Sequence, residues 1–256
     1  MVPAAYHLGR PERLFVVLAG TFLTALVVAE ATASKFFVLA DLPFTFSLFG
    51  WSTTSIVMTA GVIAFPVTFI VTDLINEYFG RAGIRFVTLL GVAMIVFEFA
   101  ILRIAIPLPT ASFSPVPDEA FRSVFGTAGR VIFGSLAAYV VGQFVDIALF
   151  HRLREATGGR YLWLRATGST FGSQFIDTFI VLTVAFAGQL AFGQIVAITL
   201  FNYAYKFVIA VLITPLIYAA HAAIDRYLGR NLAERLVDAA EADAVVPGTA
   251  GADAPA

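Results

Sequence analysis

Residues 194–218 read QIVAITLFNYAYKFVIAVLITPLIY, with a single charge, Lys206, twelve residues from either end. At about 1.5 Å of rise per residue, a helix of this length outreaches the roughly 30 Å hydrocarbon core of a bilayer. A lysine near a helix end can stretch its ammonium to the interface, but a central one cannot do so easily. The stretch therefore reads as a membrane span whose charge needs a partner inside the membrane, and a carboxylate is the expected partner. Five further runs have the same apolar character: 14–33, 54–72, 84–106, 131–150 and 170–190. Composition agrees, since 59% of the 256 residues are hydrophobic and only 13% charged, against about 25% charged in an ordinary soluble domain. The near-balanced net charge of -1 argues against disorder and against nucleic-acid binding. The absence of cysteine excludes disulfides, thiolate metal sites and thiol nucleophiles.

The expected fold class is all-α: a polytopic bundle of six transmembrane helices. Residues 1–13 form a short N-terminus, 14–222 the membrane domain, and 223–256 a C-terminal tail expected to be largely disordered. The apolar stretch 37–49 is broken by Asp41 and Pro43 and reads as a re-entrant or interfacial loop. Pro107, Pro109, Pro115 and Pro117 open an extended loop after the third span. Eleven arginines fall at the two termini and in the second and fourth loops, whereas only Lys35, Arg122 and Arg130 fall on the other side. The positive-inside rule then places both termini in the cytoplasm of a multi-pass protein of the inner (plasma) membrane. Arg10, Arg13, an apolar run and Ala31-Thr32-Ala33 also resemble a signal peptide and its cleavage site. That run is long for a signal peptide and five more spans follow, so the first span is read as retained.

Ionisable groups in hydrocarbon cost about 2.5–3.5 kcal/mol or more each, and so mark functional positions by default. Here they are Glu30, Asp73, Glu98, Arg103, Asp146, Asp177 and Lys206. The tetrapeptide Gln143-Phe144-Val145-Asp146 recurs as Gln174-Phe175-Ile176-Asp177. Residues three apart share a helix face, so each repeat sets an amide beside a carboxylate. Counted inward from the cytoplasmic ends of two antiparallel neighbours, Gln143 faces Asp177 and Asp146 faces Gln174. Such groups act either as glue between helices or as the lining of a polar cavity, and the cavity is the reading taken forward. Asn202 and Lys206, four apart on the last span, would join it. Asp73, Asn76 and Glu77 share a face at the end of the second span, a solvated helix end or a gating and coupling element; Gly80 suits a C-cap and Pro66 a kink. Glu98 and Arg103 are five apart and read as separate interhelix contacts, while Glu30 reads as either an outer-mouth or a structural group.

No phosphate-binding GxxxxGK[ST] loop, HExxH or GxSxG motif is present. No metal, cofactor or enzymatic reaction is therefore expected.

Three stretches resemble the queuosine precursor transporter family, also described as vitamin uptake transporters: PVTFIVTDLINEYFGR at 66–81, GSLAAYVVGQFVDIALFHRLR at 134–154 and LWLRATGSTFGSQFIDTFIV at 162–181. Lys206 and Thr214-Pro215 add to the likeness, and Ala166 departs from the asparagine associated with the family. The resemblance implies import of a 7-deazaguanine, 7-cyano- or 7-aminomethyl-7-deazaguanine, for salvage into tRNA queuosine. It also implies a six-span fold similar to the substrate-binding subunits of energy-coupling-factor transporters. The expected partners are thus a small 7-deazapurine and the lipid bilayer, with oligomeric state left open. Asp146 or Asp177 would accept from the guanine edge, Gln143, Gln174, Asn202 and Lys206 would supply further bonds, and Phe144, Phe175 or Tyr203 would stack on the ring. A binding subunit that needs a separate ATPase module is one alternative. A membrane enzyme using paired carboxylates and a small ion channel are the others.

Overall fold

The first apolar run forms helix α1, Arg10–Thr32. In this computed structural model residues 8–156 and 162–245 are described, with the side chains at 128, 143, 144, 146–151, 153–156, 162–171, 241 and 243–245 outside the description. After α1 come strands β1 (Phe36–Leu48) and β2 (Trp51–Thr59) and a 3-10 turn at Ala60–Ala64. Helices α2 (Phe65–Ala105), α3 (Asp118–Ala156), α4 (Leu162–Phe186), α5 (Phe192–Leu212), α6 (Thr214–Leu228) and α7 (Arg230–Val245) complete the order. Among the described residues, four helical stretches are long and apolar enough to cross a membrane: Arg10–Thr32, Ala60–Ala105, Asp118–Gly142 and Phe192–Leu212. Gly172–Phe186 is a shorter apolar helix.

The protein is mostly helical but not all-α. The stretch read as a re-entrant loop and the start of the expected second span pair as an antiparallel hairpin, from Phe36↔Thr59 to Leu48↔Trp51. Both arms are rich in Phe, Val, Ile, Thr and Ser, and β-branched and aromatic side chains fit a pleated surface. Phe49 and Gly50 link the arms with φ of 46° and 77°. Positive φ at both central residues is the mark of the two-residue turn whose twist matches that of hairpin strands. The register shifts between Asp41 and Phe46, where Pro43 lacks an N–H for the ladder. Asp41 is satisfied within the hairpin by the Ser55 hydroxyl, which donates to it at 2.7 Å.

Pro66 causes no kink. It is the second residue of α2, and the first helical turn has no use for its missing N–H. The break comes at Gly80 instead, with φ 62° and ψ -165°, a region open essentially to glycine alone. The expected disordered tail is also helical as far as Val245. Its NLAERLVDAAEADA stretch consists mainly of good helix formers.

The chain divides into two compact units. The first takes in α1 up to Leu26, Ala64–Met94 and the chain from Ile209 onward. Its core joins Leu14, Leu18 and Phe22 of α1 with Leu74, Ile75 and Val87 of α2, and with Ile224, Leu228 and Ala233. The 14, 18, 22 and 71, 75, 78 spacings are those of one helix face. The second unit holds Val27–Ile63 and Ile95–Val208. There α3 and α4 lie along one another: the Arg130 guanidinium donates to the Ala187 carbonyl at 2.9 Å, and a methyl on Gly134 would stand 3.0 Å from the Val181 carbonyl. These approaches run in opposite directions along the two helices, which makes them antiparallel neighbours. Leu182, Phe186, Ile195 and Ile198 bring α4 and α5 into one cluster.

A Cβ at residue 80 would lie 3.2 Å from the Ala240 Cα, in a backbone conformation L side chains rarely adopt. Gly80→Ala is expected to destabilise the protein by about 1–3 kcal/mol, read as a lower thermal midpoint of the detergent-purified chain. An unchanged midpoint would show that the break at Gly80 is not under strain.

Candidate functional site

In the second unit, α1, α2, α3, α4 and α5 each bring a polar side chain to one cluster. Lys206 of α5 donates from Nζ to the Thr178 hydroxyl at 3.2 Å. Thr178 of α4 in turn donates to the Gln174 carbonyl at 3.0 Å, so its hydroxyl both gives and accepts. Asp177, the preceding residue, acts electrostatically on Lys206, as does Glu30 at the far end of α1. Glu30 accepts a hydrogen bond from Ser135 of α3 at 2.9 Å and also feels Glu98 of α2. Glu98 has its Oε2 buried with no hydrogen-bond partner among the described residues. The lysine thus donates a hydrogen bond to a hydroxyl, Thr178, with Asp177 and Glu30 as the acidic groups in its neighbourhood.

Asn202 is 3% exposed and uses both ends of its amide on one residue. Its Nδ2 donates to the Thr59 hydroxyl and its Oδ1 accepts from the Thr59 N–H, each at 3.4 Å. The bond ties α5 to the end of β2. Gln174 presents an exposed side chain. Phe175 and Tyr203, two of the aromatics proposed to stack on a base, meet edge to face with centroids 5.6 Å apart. Gln143 and Asp146 fall on α3, but their side chains lie outside the described residues, as does Phe144. Arg103 goes elsewhere, into an apolar cavity of about 400 Å³ lined also by Phe99, Leu102, Phe125, Arg130 and Phe133.

The first unit holds a second polar group. Asp73 is paired with His221 Nε2 at 3.3 Å. The other ring nitrogen of His221 lies 3.3 Å from the Tyr78 hydroxyl, which donates to Asp225 Oδ1 at 2.8 Å. Asn76 and Glu77 are exposed. Of the three gating candidates, Asp73 therefore sits in the network. Tyr78, His221 and Asp225 were passed over; the i, i+4 spacing of His221 and Asp225 was the available signal.

Comparison with known proteins gives this arrangement its context. A family profile described as "Putative vitamin uptake transporter" matches residues 59–220. The chain belongs to that family. It is 32% identical over 177 residues to a "Probable queuosine precursor transporter" of Bacillus subtilis (strain 168), covering 69% of this chain and 75% of the relative. A protein of the same description from Haemophilus influenzae (strain ATCC 51907 / DSM 11121 / KW20 / Rd) is 30% identical over 129 residues, 50% of this chain and 52% of the relative. No solved structure matches. The protein is thus a membrane transporter of this family, not an enzyme.

Thr178→Val keeps the shape but removes the acceptor of the Lys206 hydrogen bond. A buried ammonium robbed of one partner should lower stability by about 1–3 kcal/mol, and Thr178→Ser should recover most of it. Thermal unfolding in detergent reads both; a valine variant as stable as the wild type would mean that the 3.2 Å contact carries no weight.

Proposed function

We propose that the protein imports queuosine precursors, 7-cyano- or 7-aminomethyl-7-deazaguanine, and that the Lys206 cluster holds the base. The carrying observation is the gathering of Lys206, Thr178, Asp177 and Glu30 in one half-buried group. A guanine-like edge presents an N–H and an exocyclic amine, which a carboxylate accepts bidentately, and a carbonyl oxygen, which an ammonium or amide satisfies. Asp177, or Asp146 of the matching repeat, reads the edge; Lys206, Gln143 and Gln174 supply the remaining bonds. Phe175 and Tyr203 offer ring faces or edges to the planar base. Asn202 contributes from behind, by holding α5 to the hairpin. The names of the two relatives support this substrate class.

Six spans are part of the same reading. The break at Gly80 divides Ala60–Ala105 in two, and Gly172–Phe186 adds to Arg10–Thr32, Asp118–Gly142 and Phe192–Leu212. With both termini in the cytoplasm, Asp73, Asn76 and Glu77 lie at the cytoplasmic border and serve gating or coupling. Exchange of the Asp73–His221 contact for solvent is a local event suited to a gate.

The experiment is uptake of the two bases by the purified chain in liposomes, with and without a pH gradient, alongside tRNA modification in cells that depend on salvaged precursor. Asp177→Asn and Lys206→Met, inserted normally, are expected to reduce uptake at least about tenfold, the worth of one charge-assisted hydrogen bond. Full tRNA modification by both variants would remove the assignment. The alternative is a binding subunit driven by a separate ATPase; unaided uptake by the lone chain would exclude it.

A further inference from the structure

The cavity that takes Arg103 lies within the second unit, between the last turns of α2 and the first half of α3, and has a volume of about 400 Å³. Each of these helices brings it the same two kinds of side chain. Phe99 and Arg103 are four apart on α2, and Arg130 and Phe133 are three apart on α3. Such spacings put both members of a pair on one helix face. Leu102 and Phe125 add apolar wall. Gly129 lets the two helices close on one another, since a Cβ there would already stand 3.5 Å from the Phe99 ring.

The charges facing this space are of one sign. Among the described residues no carboxylate lines it, and the ion pair found there, Asp73–His221, belongs to the first unit. Arg130 spends one N–H on the Ala187 carbonyl, and a guanidinium has five to give. Two guanidiniums beside apolar walls attract an anion more strongly than they would in open water. Free phosphate would gain nothing from the phenyl rings, and a neutral apolar solute nothing from the arginines. The cavity therefore fits a molecule that is anionic at one end and apolar along the rest. Phe133 is exposed, as are Phe97, Ile101 and Ile104 on the neighbouring turns of α2. That stretch of α2 is apolar enough to lie in a membrane, where acyl chains cover such a surface. We propose that the cavity is a binding site for an anionic phospholipid of the surrounding bilayer. Arg103 and Arg130 hold the headgroup phosphate through charge-assisted hydrogen bonds, and Phe99 and Phe133 pack against the start of an acyl chain. A headgroup that also carries a cation is disfavoured, because the two arginines repel it.

The probes are phosphatidylglycerol and phosphatidylcholine with the same acyl chains, each added to the purified full-length chain in detergent and read as bound lipid by native mass spectrometry. Phosphatidylglycerol is expected to bind at least about tenfold more tightly, the scale of one charge-assisted hydrogen bond. Arg103→Gln, at an exposed position, should bring the ratio toward one, and Arg103→Lys should keep part of it. Phe133→Ala should weaken both lipids and leave their ratio alone. Equal binding of the two lipids by the wild type overturns the proposal. So does an Arg103→Gln chain that keeps the full preference, or a Phe133→Ala chain that binds both lipids as the wild type does. Inorganic phosphate is the remaining arm: if it displaces phosphatidylglycerol, the site is one for a free anion and the lipid assignment falls. If Arg103→Gln does not fold, the wild-type ratio and the phosphate arm still decide. Failure here leaves the transport reading standing, since that rests on other residues.

Discussion

An ammonium on an apolar helix, Lys206 six residues before the end of α5, has to be answered by other parts of the protein. Hydrocarbon offers an ammonium no partner, so on an apolar span the charge must be met by protein groups. The answer is a hydroxyl, Thr178, held in place by its own bond to the Gln174 carbonyl, with Asp177 and Glu30 supplying opposite charge. Lys206, the Asp177–Thr178 pair and Glu30 sit on three different helices, so the bundle must hold one register for all of them to meet. Ser135 does for Glu30 what Thr178 does for Lys206. An apolar bundle could slide or rotate at little cost. This one loses charge-assisted hydrogen bonds if it does.

The hairpin and the helices of the second unit belong to the same constraint. Asn202 lies one turn from Lys206 on α5, and both ends of its amide grip Thr59 at the end of β2. That bond sets the rotation of α5 about its axis, and with it the direction in which Lys206 leaves the helix. The hairpin is thereby a fixed support for the site, even though none of its own residues carries a charge into the cluster.

In the first unit the polar groups are placed by backbone geometry instead. The break at Gly80 allows α2 to end one helical segment beside α6, where Tyr78 bridges His221 and Asp225 while Asp73 meets the other ring nitrogen of the imidazole. The buried positions Leu74, Ile75 and Tyr78 point into a core of α1, α6 and α7 residues. Asp73, Asn76 and Glu77 occupy the opposite, wetter side of the same turns. One short stretch of sequence thus serves packing with one face and polar contacts with the other.

Apolar run length and the scarcity of charge determined the membrane character from sequence alone, because burying twenty side chains in lipid needs nothing but composition and helical rise. The need of Lys206 for acidic company was legible for the same reason: the energy of an unpaired charge does not depend on which neighbour relieves it. Which neighbour does so was decided only in three dimensions. Glu30 lies 176 positions before Lys206, and nothing in helical periodicity tells a face which distant helix it will meet. The hairpin was hidden for a related reason, since apolar β-branched runs such as Thr53–Val57 satisfy a span and a strand equally well until their partner strand is known. Sequence could state what each segment must bury and what each charge must find; packing chose the partners.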